Sequence, residues 1–263
     1  MSAAPPSAGP LAGRGIVITR PAHQAGSLAA RVAAVGGRAI LFPVVEIADP
    51  ADLTPLNALV DRLHEFDLAV FISPNAVSKA MNLINLRRAL PARLSFAAVG
   101  DASANALRAR GVAHVIAPAE NFDSEALLAL PALREAAGKR VVIFRGEGGR
   151  EMLRDTLIAR GAHVEYAECY RRVRPQLDPA LLLDAWAHDE LHAVVVTSSG
   201  GLNNLVEMIG KAGKARLAGT PVFVPHVRIA ETANMRGLTS VVTTAAGDEG
   251  IVAGLCAHFS SCK

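Results

Sequence analysis

The chain has 263 residues, 51% of them hydrophobic and 19% charged; that much apolar surface offsets the entropy of folding, which excludes wholesale disorder and leaves room for one large domain or two. A formal charge of +3 and an aromatic share of 4% exclude the basic stripe and the stacking faces that a nucleic-acid binder needs. Cys169, Cys256 and Cys262 show neither paired metal-ligand spacing nor a disulfide framework, which points to a reducing compartment.

Residues 1–12, small residues and proline, read as a flexible tail without the basic and apolar regions of a signal peptide. From Gly15 onward, short apolar runs alternate with stretches of helical period, the order produced by a parallel sheet with crossover helices. The runs predict strands over 16–19, 39–42, 68–72, 95–99, 114–117, 141–144, 163–166, 193–197, 221–224 and 240–243. Most lack polar alternation, as strands covered on both faces do. Between them, Leu, Val and Ala recurring at three and four residues predict helices over 28–35, 76–90, 102–110, 124–136, 150–160, 202–211 and 229–235. Apolar runs such as 40–45 and 193–196 fall far short of the ~20 residues of a membrane span, so a soluble cytoplasmic protein is expected.

The pattern also repeats. Gly15-Ile-Val-Ile-Thr-Arg20, a helix and the turn Val35-Gly-Gly-Arg-Ala39 resemble Arg140-Val-Val-Ile-Phe-Arg145, a helix and Arg160-Gly-Ala-His-Val164. Each copy runs into an extended segment, 43–48 and 167–174. A second unit over 68–107 has its counterpart over 193–235. Two related halves imply two similar α/β domains.

Ligands of open parallel sheets bind beyond the carboxyl ends of the strands, where helix amino termini also point. Six such loops carry small or polar residues: Thr19-Arg20-Pro21, Ser73-Pro74-Asn75, Gly100 to Ser103, Arg145 to Arg150, Thr197 to Gly201, and Pro225 to Arg228. Any one of them is explained by ordinary helix capping; six together point to an anion held by free N–H groups. No dinucleotide fingerprint, phosphate-binding Gly-Lys-Ser/Thr loop or nucleophile elbow is present. His188 and His192 read as a surface pair at a helix end, and no bound metal is expected. The tyrosines are Tyr166 and Tyr170; each reads either as a sheet-edge residue with a wet tip or as a phenolic proton donor.

Val17-Ile-Thr-Arg-Pro21, Phe71-Ile-Ser-Pro-Asn-Ala76, Val99-Gly-Asp-Ala-Ser103, Asn121-Phe-Asp-Ser-Glu-Ala-Leu127, Arg145-Gly-Glu-Gly-Gly-Arg-Glu151, Cys169-Tyr-Arg-Arg172 and Val224-Pro-His-Val-Arg-Ile-Ala-Glu231 occur in this order. Together they resemble the uroporphyrinogen-III synthase family over about residues 13 to 256. The resemblance implies two α/β domains, each a parallel sheet flanked by helices, joined by a two-stranded ladder. On this sequence domain 1 would take 13–42 plus 176–263, the ladder 43–52 and 167–175, and domain 2 residues 53–166.

The implied reaction closes hydroxymethylbilane to uroporphyrinogen III with inversion of the last pyrrole ring and loss of water, without metal or organic cofactor. Tyr170 matches the family's tyrosine proposed to assist departure of the hydroxyl, and Ser103 its hydroxyl-bearing binding residue. Ser73, Asn75, Thr197, Ser198, Ser199 and Gly200 match substrate-binding loop positions, with Arg145 and Arg228 as further candidates. Asp101 is unwelcome beside substrate carboxylates and is expected to face away. A monomer is implied, with transient hand-over of the bilane from the enzyme that forms it. The alternative is a non-catalytic two-domain binder or sensor of an anionic metabolite.

Overall fold

The computed structural model describes residues 9–260. In chain order its elements are β1 (Gly15–Ile18), α1 (Ala22–Ala34), β2 (Arg38–Leu41), β3 (Glu46–Ala48), α2 (Thr54–Asp61), β4 (Leu68–Phe71), α3 (Pro74–Arg87), β5 (Ser95–Ala98), α4 (Asp101–Arg108), β6 (Val115–Ile116), α5 (Ser124–Leu128) and α6 (Pro131–Arg134). There follow β7 (Arg140–Gly146), α7 (Met152–Ala159), β8 (His163–Val173), α8 (Ala180–Ala187), β9 (Ala193–Val195), α9 (Ser199–Ala218), β10 (Val222–Val224), α10 (Val227–Met235), β11 (Val241–Thr243) and α11 (Gly247–Ser260). The chain divides into two compact units, one taking the chain through Glu46 and again from Val173, the other Ile47–Arg172.

The first unit is built on a parallel sheet of order β11-β10-β9-β1-β2. Alternate residues face opposite sides of a strand: Val17, Val194, Val222 and Val224 enter one core, and Ile16, Ile18, Val195 and Phe223 the other. Both faces are covered by helices, so β1, β9 and β10 are buried along their whole length. The chain leaves β1 toward β2 and returns through β9 toward β10 and β11, so the strand order reverses between β1 and β9. Such a reversal leaves a crevice beyond the carboxyl ends of the two strands.

The second unit holds the sheet β3-β8-β7-β4-β5-β6, whose β8/β7, β7/β4, β4/β5 and β5/β6 pairs are parallel. Phe71, Phe96 and Phe144 stack on one face, while Leu68, Val70, Val141 and Ile143 fill the other. Its reversal falls between β4 and β7. The extended segments that follow the repeated units do lie side by side, as β3 and β8, but within this six-stranded sheet.

Three expectations change. The predicted tail ends early: residues 1–8 lie outside the described residues, but Leu11 is 0% exposed and its N–H donates to Val35 O at 3.0 Å. An apolar side chain between two small residues was enough to tie the segment to the core. The helix predicted over 124–136 is two, α5 and α6, because Leu130 precedes a proline and is driven to ψ 145°. The strand predicted over 163–166 and the extended segment predicted after it are one strand running to Val173, since β3 and β7 satisfy its two edges. Among the described residues no helix is long and apolar enough to cross a membrane.

Candidate active site

In the second unit the site is built where β4, β7 and β8 end. Ser73 follows β4 in extended conformation and caps α3, its Oγ accepting from Ala76 N at 3.1 Å. Pro74 at the first helical position suits this start, because its missing N–H would have had no helical partner. Asn75 lies half-buried in the first turn.

Tyr170 reaches Ser73 through an irregularity in β8. Arg145 pairs with Glu168, but Gly146 pairs with Tyr170, so Cys169 is an extra residue in the ladder. A one-residue slip turns every later side chain to the opposite face. Tyr166 faces the core on the Ile143 side, whereas Tyr170, an even number of residues later, joins the Phe71 and Phe144 side. Its ring lies on Gly146, where a Cβ would come within 2.5 Å of it. Only glycine permits that approach.

The Tyr170 hydroxyl is 3.1 Å from Ser73 Oγ and accepts from Arg172 at 3.1 Å. Arg172 lies two residues on, hence on the same face, with its guanidinium 5.4 Å from the ring centre. The tyrosine itself is 0% exposed. The expected direct phenol-to-substrate contact is therefore not available in this conformation, because the bulge and Gly146 draw the ring beneath the surface. A cavity of about 480 Å³ borders Tyr170, but Asp52, Glu147 and Glu168 also line it and no basic residue does. Like charges would repel a carboxylate there.

Arg145 is 2% exposed. Its guanidinium donates to Gly146 O, to Gly148 O and to Glu151, and lies 4.3 Å from the centre of the Tyr166 ring. It braces the loop after β7, where each of its three nitrogens has a partner. Tyr166 in turn donates to Glu151 at 2.7 Å. Burial first, and then this bond, push its phenol up to about 12. Cys169 donates to Arg145 O, and burial pushes its thiol up to about 12, so it is an inert core residue.

The remaining candidates of this unit are less open than expected. Ser103 is 3% exposed in the first turn of α4. The loop before α5 covers that helix end, with Phe122 Cβ 3.2 Å from where a Gly100 Cβ would stand. Asp101 accepts from Asn105 at 2.9 Å along the helix surface.

In the first unit Thr197, Ser198, Ser199, Gly200, His226, Arg228, Thr232 and Gly247 line a cavity of about 760 Å³. Ser198 caps α9, accepting from Gly201 N at 3.0 Å, and Thr232 Oγ1 lies 2.9 Å from both Ser199 Oγ and Arg228 O. His226 caps α10 through Nδ1, which accepts from Arg228 N at 3.1 Å. The amino termini of α9 and α10 border the cavity, and Gly247 opens α11. Hydroxyls, first-turn N–H groups and Arg228, with no carboxylate among the lining residues, make a surface for an anion.

The structure thus groups Ser73 with Tyr170, and Thr197, Ser198, Ser199 and Gly200 with Arg228, and it draws Ser103 and Arg145 inward. Arg172, His226, Thr232 and Gly146 were not among the predicted site residues. Arg172 was legible from its two-residue spacing to Tyr170 on a strand, and His226 from its place before a helix. Gly146 lies in one of the six predicted loops, but its contact with Tyr170, like the place of Thr232, depends on tertiary structure.

The family profile described as "Uroporphyrinogen-III synthase HemD" matches residues 26–253. Uroporphyrinogen-III synthase of Escherichia coli (strain K12) is 36% identical over 195 residues, 74% of this chain and 79% of that one. The Salmonella typhimurium protein of the same name is 38% identical over 191 residues, 72% of this chain and 78% of its own. Among solved structures, a mutant uroporphyrinogen III synthase from the extremely thermophilic bacterium Thermus thermophilus superposes with a TM-score of 0.59 at 19% identity, covering 95% of this chain and 100% of that one. The Helicobacter pylori 26695 enzyme superposes with a TM-score of 0.55 at 14% identity, covering 95% and 99%; these two share the fold. With the profile spanning most of its length and relatives above one-third identity, the chain belongs to the uroporphyrinogen-III synthase family.

Proposed function

We propose that the chain is a cytoplasmic, monomeric hydro-lyase that closes hydroxymethylbilane to uroporphyrinogen III. Departure of the terminal hydroxyl as water leaves an azafulvene, ring D attacks through its substituted carbon to form a spiro intermediate, and fragmentation and reclosure invert that ring. The pyrroles supply the electrons, so the protein's work is to bind, orient and protonate. Free bilane closes without inversion, which makes orientation the decisive contribution.

The observation that carries this reading is the carboxylate-free cavity of the first unit. Substrate acetates and propionates would meet N–H groups of α9 and α10, the hydroxyls of Thr197, Ser198 and Ser199, and Arg228 there. In the second unit Ser73 and Asn75 offer polar groups at the start of α3, and Tyr170 supplies a proton. Arg145 and Ser103 act here as residues that position their loops, in keeping with their burial. The bilane would be received directly from the enzyme that forms it. Incubating the protein with hydroxymethylbilane and separating the oxidised products should give the type III isomer; type I alone, as in a protein-free control, would refute the activity and leave an anionic binder.

A further inference from the structure

Tyr170 holds a transferable proton with no surface from which to give it away. It is 0% exposed, and its ring is trapped on Gly146. Arg172 and Ser73 meet its oxygen. A guanidinium has no acceptor, so of these two the serine is the one that can take the phenol's proton. Ser73 is half-buried and stands on the loop at the strand reversal of the second unit. Its oxygen accepts from Ala76 N through one lone pair. The other lone pair can accept from Tyr170, and the serine's own hydrogen is then directed away from both.

We propose that Ser73 is the relay through which Tyr170 protonates the bilane, a role that rests on the synthase activity proposed above. The Ser73 O–H proton passes to the terminal hydroxyl of the substrate. The C–O bond breaks with its electron pair, water departs, and the pyrrole nitrogen supplies the pair that makes the azafulvenium cation, whose positive charge balances the phenolate left on Tyr170. The Tyr170 proton moves to Ser73 Oγ, leaving a phenolate that keeps the Arg172 hydrogen bond. When the reclosed ring loses its carbon-bound proton, that proton returns through Ser73 to Tyr170. Atoms and charge balance, and water is the sole by-product.

The test is a double-mutant cycle read in kcat at saturating bilane. Ser73→Asn retains a side-chain oxygen able to cap α3 but has no hydroxyl to relay, and Ser73→Ala removes both. Loss of a positioned acid is worth about 10²-fold or more. We expect Ser73→Asn and Tyr170→Phe to lower kcat by similar factors, and the double variant to be no slower than either. Ser73→Thr should recover most of what Ser73→Asn loses, and Ser73→Ala should match Ser73→Asn if the cap is not the cause. Wild-type kcat in Ser73→Asn or in Tyr170→Phe, or a double variant slowed by the product of the two factors, would overturn the relay. Those outcomes leave type III formation by the wild type intact, whereas type I alone from the wild type would remove the proposed activity itself.

Discussion

Tyr166 and Tyr170 lie four residues apart on one strand and are separated chemically by the extra residue between them. Tyr170 is turned toward Ser73; Tyr166 is tied to Glu151, and its hydrogen bond is the main cause holding that carboxyl below its ordinary 4.5. The signs of the two titrations differ. A phenol raised to about 12 contributes stability that is whole below its ordinary value near 10 and is lost as pH climbs through about 12. A lowered carboxyl contributes stability that is whole above its ordinary value and is lost as pH falls through the lowered one. Tyr166→Phe is therefore expected to shrink both the alkaline loss, to which the buried Cys169 thiol also contributes, and the acid one, giving a flatter curve of Tm against pH. A variant losing as much Tm as wild type from about pH 10 to 12 would contradict the pairing. The motif Cys169-Tyr-Arg-Arg172 was visible in the sequence, but the face on which Tyr170 lies was not. Alternation along the strand would have placed it beside Tyr166, and the bulge that reverses it is a property of pairing with β7.

Strands were more legible than helices, for a physical reason. Every predicted strand has its counterpart, and the central ones, buried on both faces, read as unbroken apolar runs whatever lies beside them. Helices α2 and α11 were not anticipated, and of α8 only its end beside His188 was: Thr54–Asp61 has a proline at its second position, and Gly247–Ser260 carries three glycines. Such residues are read as breakers, and packing overrides them. α9 shows the opposite case, a predicted helix that is interrupted. At Gly210 the backbone adopts φ 62° and ψ −164°, so Ser199–Ala218 is two helical segments across a kink. A Cβ at Gly210 would meet nothing within 4 Å, so a substitution there probes backbone strain alone. Gly210→Ala should destabilise by about 1–3 kcal/mol, measured by urea unfolding; an unchanged midpoint would mean that the kink straightens freely.

At the scale of the molecule, the repeat announced two α/β halves but not which strands share a sheet. Periodicity records what a segment buries, not its partner, and β1 finds β9 across most of the chain. The second unit is contiguous, carries cores on both faces of its own sheet, and has β3 and β8 near its two chain ends. Residues 47–172 expressed alone are expected to unfold in one cooperative transition with a hydrogen-exchange-protected core; a molten, unprotected product would show that the rest of the chain is needed. The pairing of β1 with β9 also has a meaning in time. Thr19 Oγ1 donates to Val195 O, 176 positions later. At about 5–20 residues per second of synthesis, the first strand waits roughly ten to thirty-five seconds for its neighbour to be made. During that interval its buried apolar run has only β2 to pair with, while the middle of the chain can already complete its own sheet. The sheet made from the middle of the sequence can thus close before the one made from its two ends.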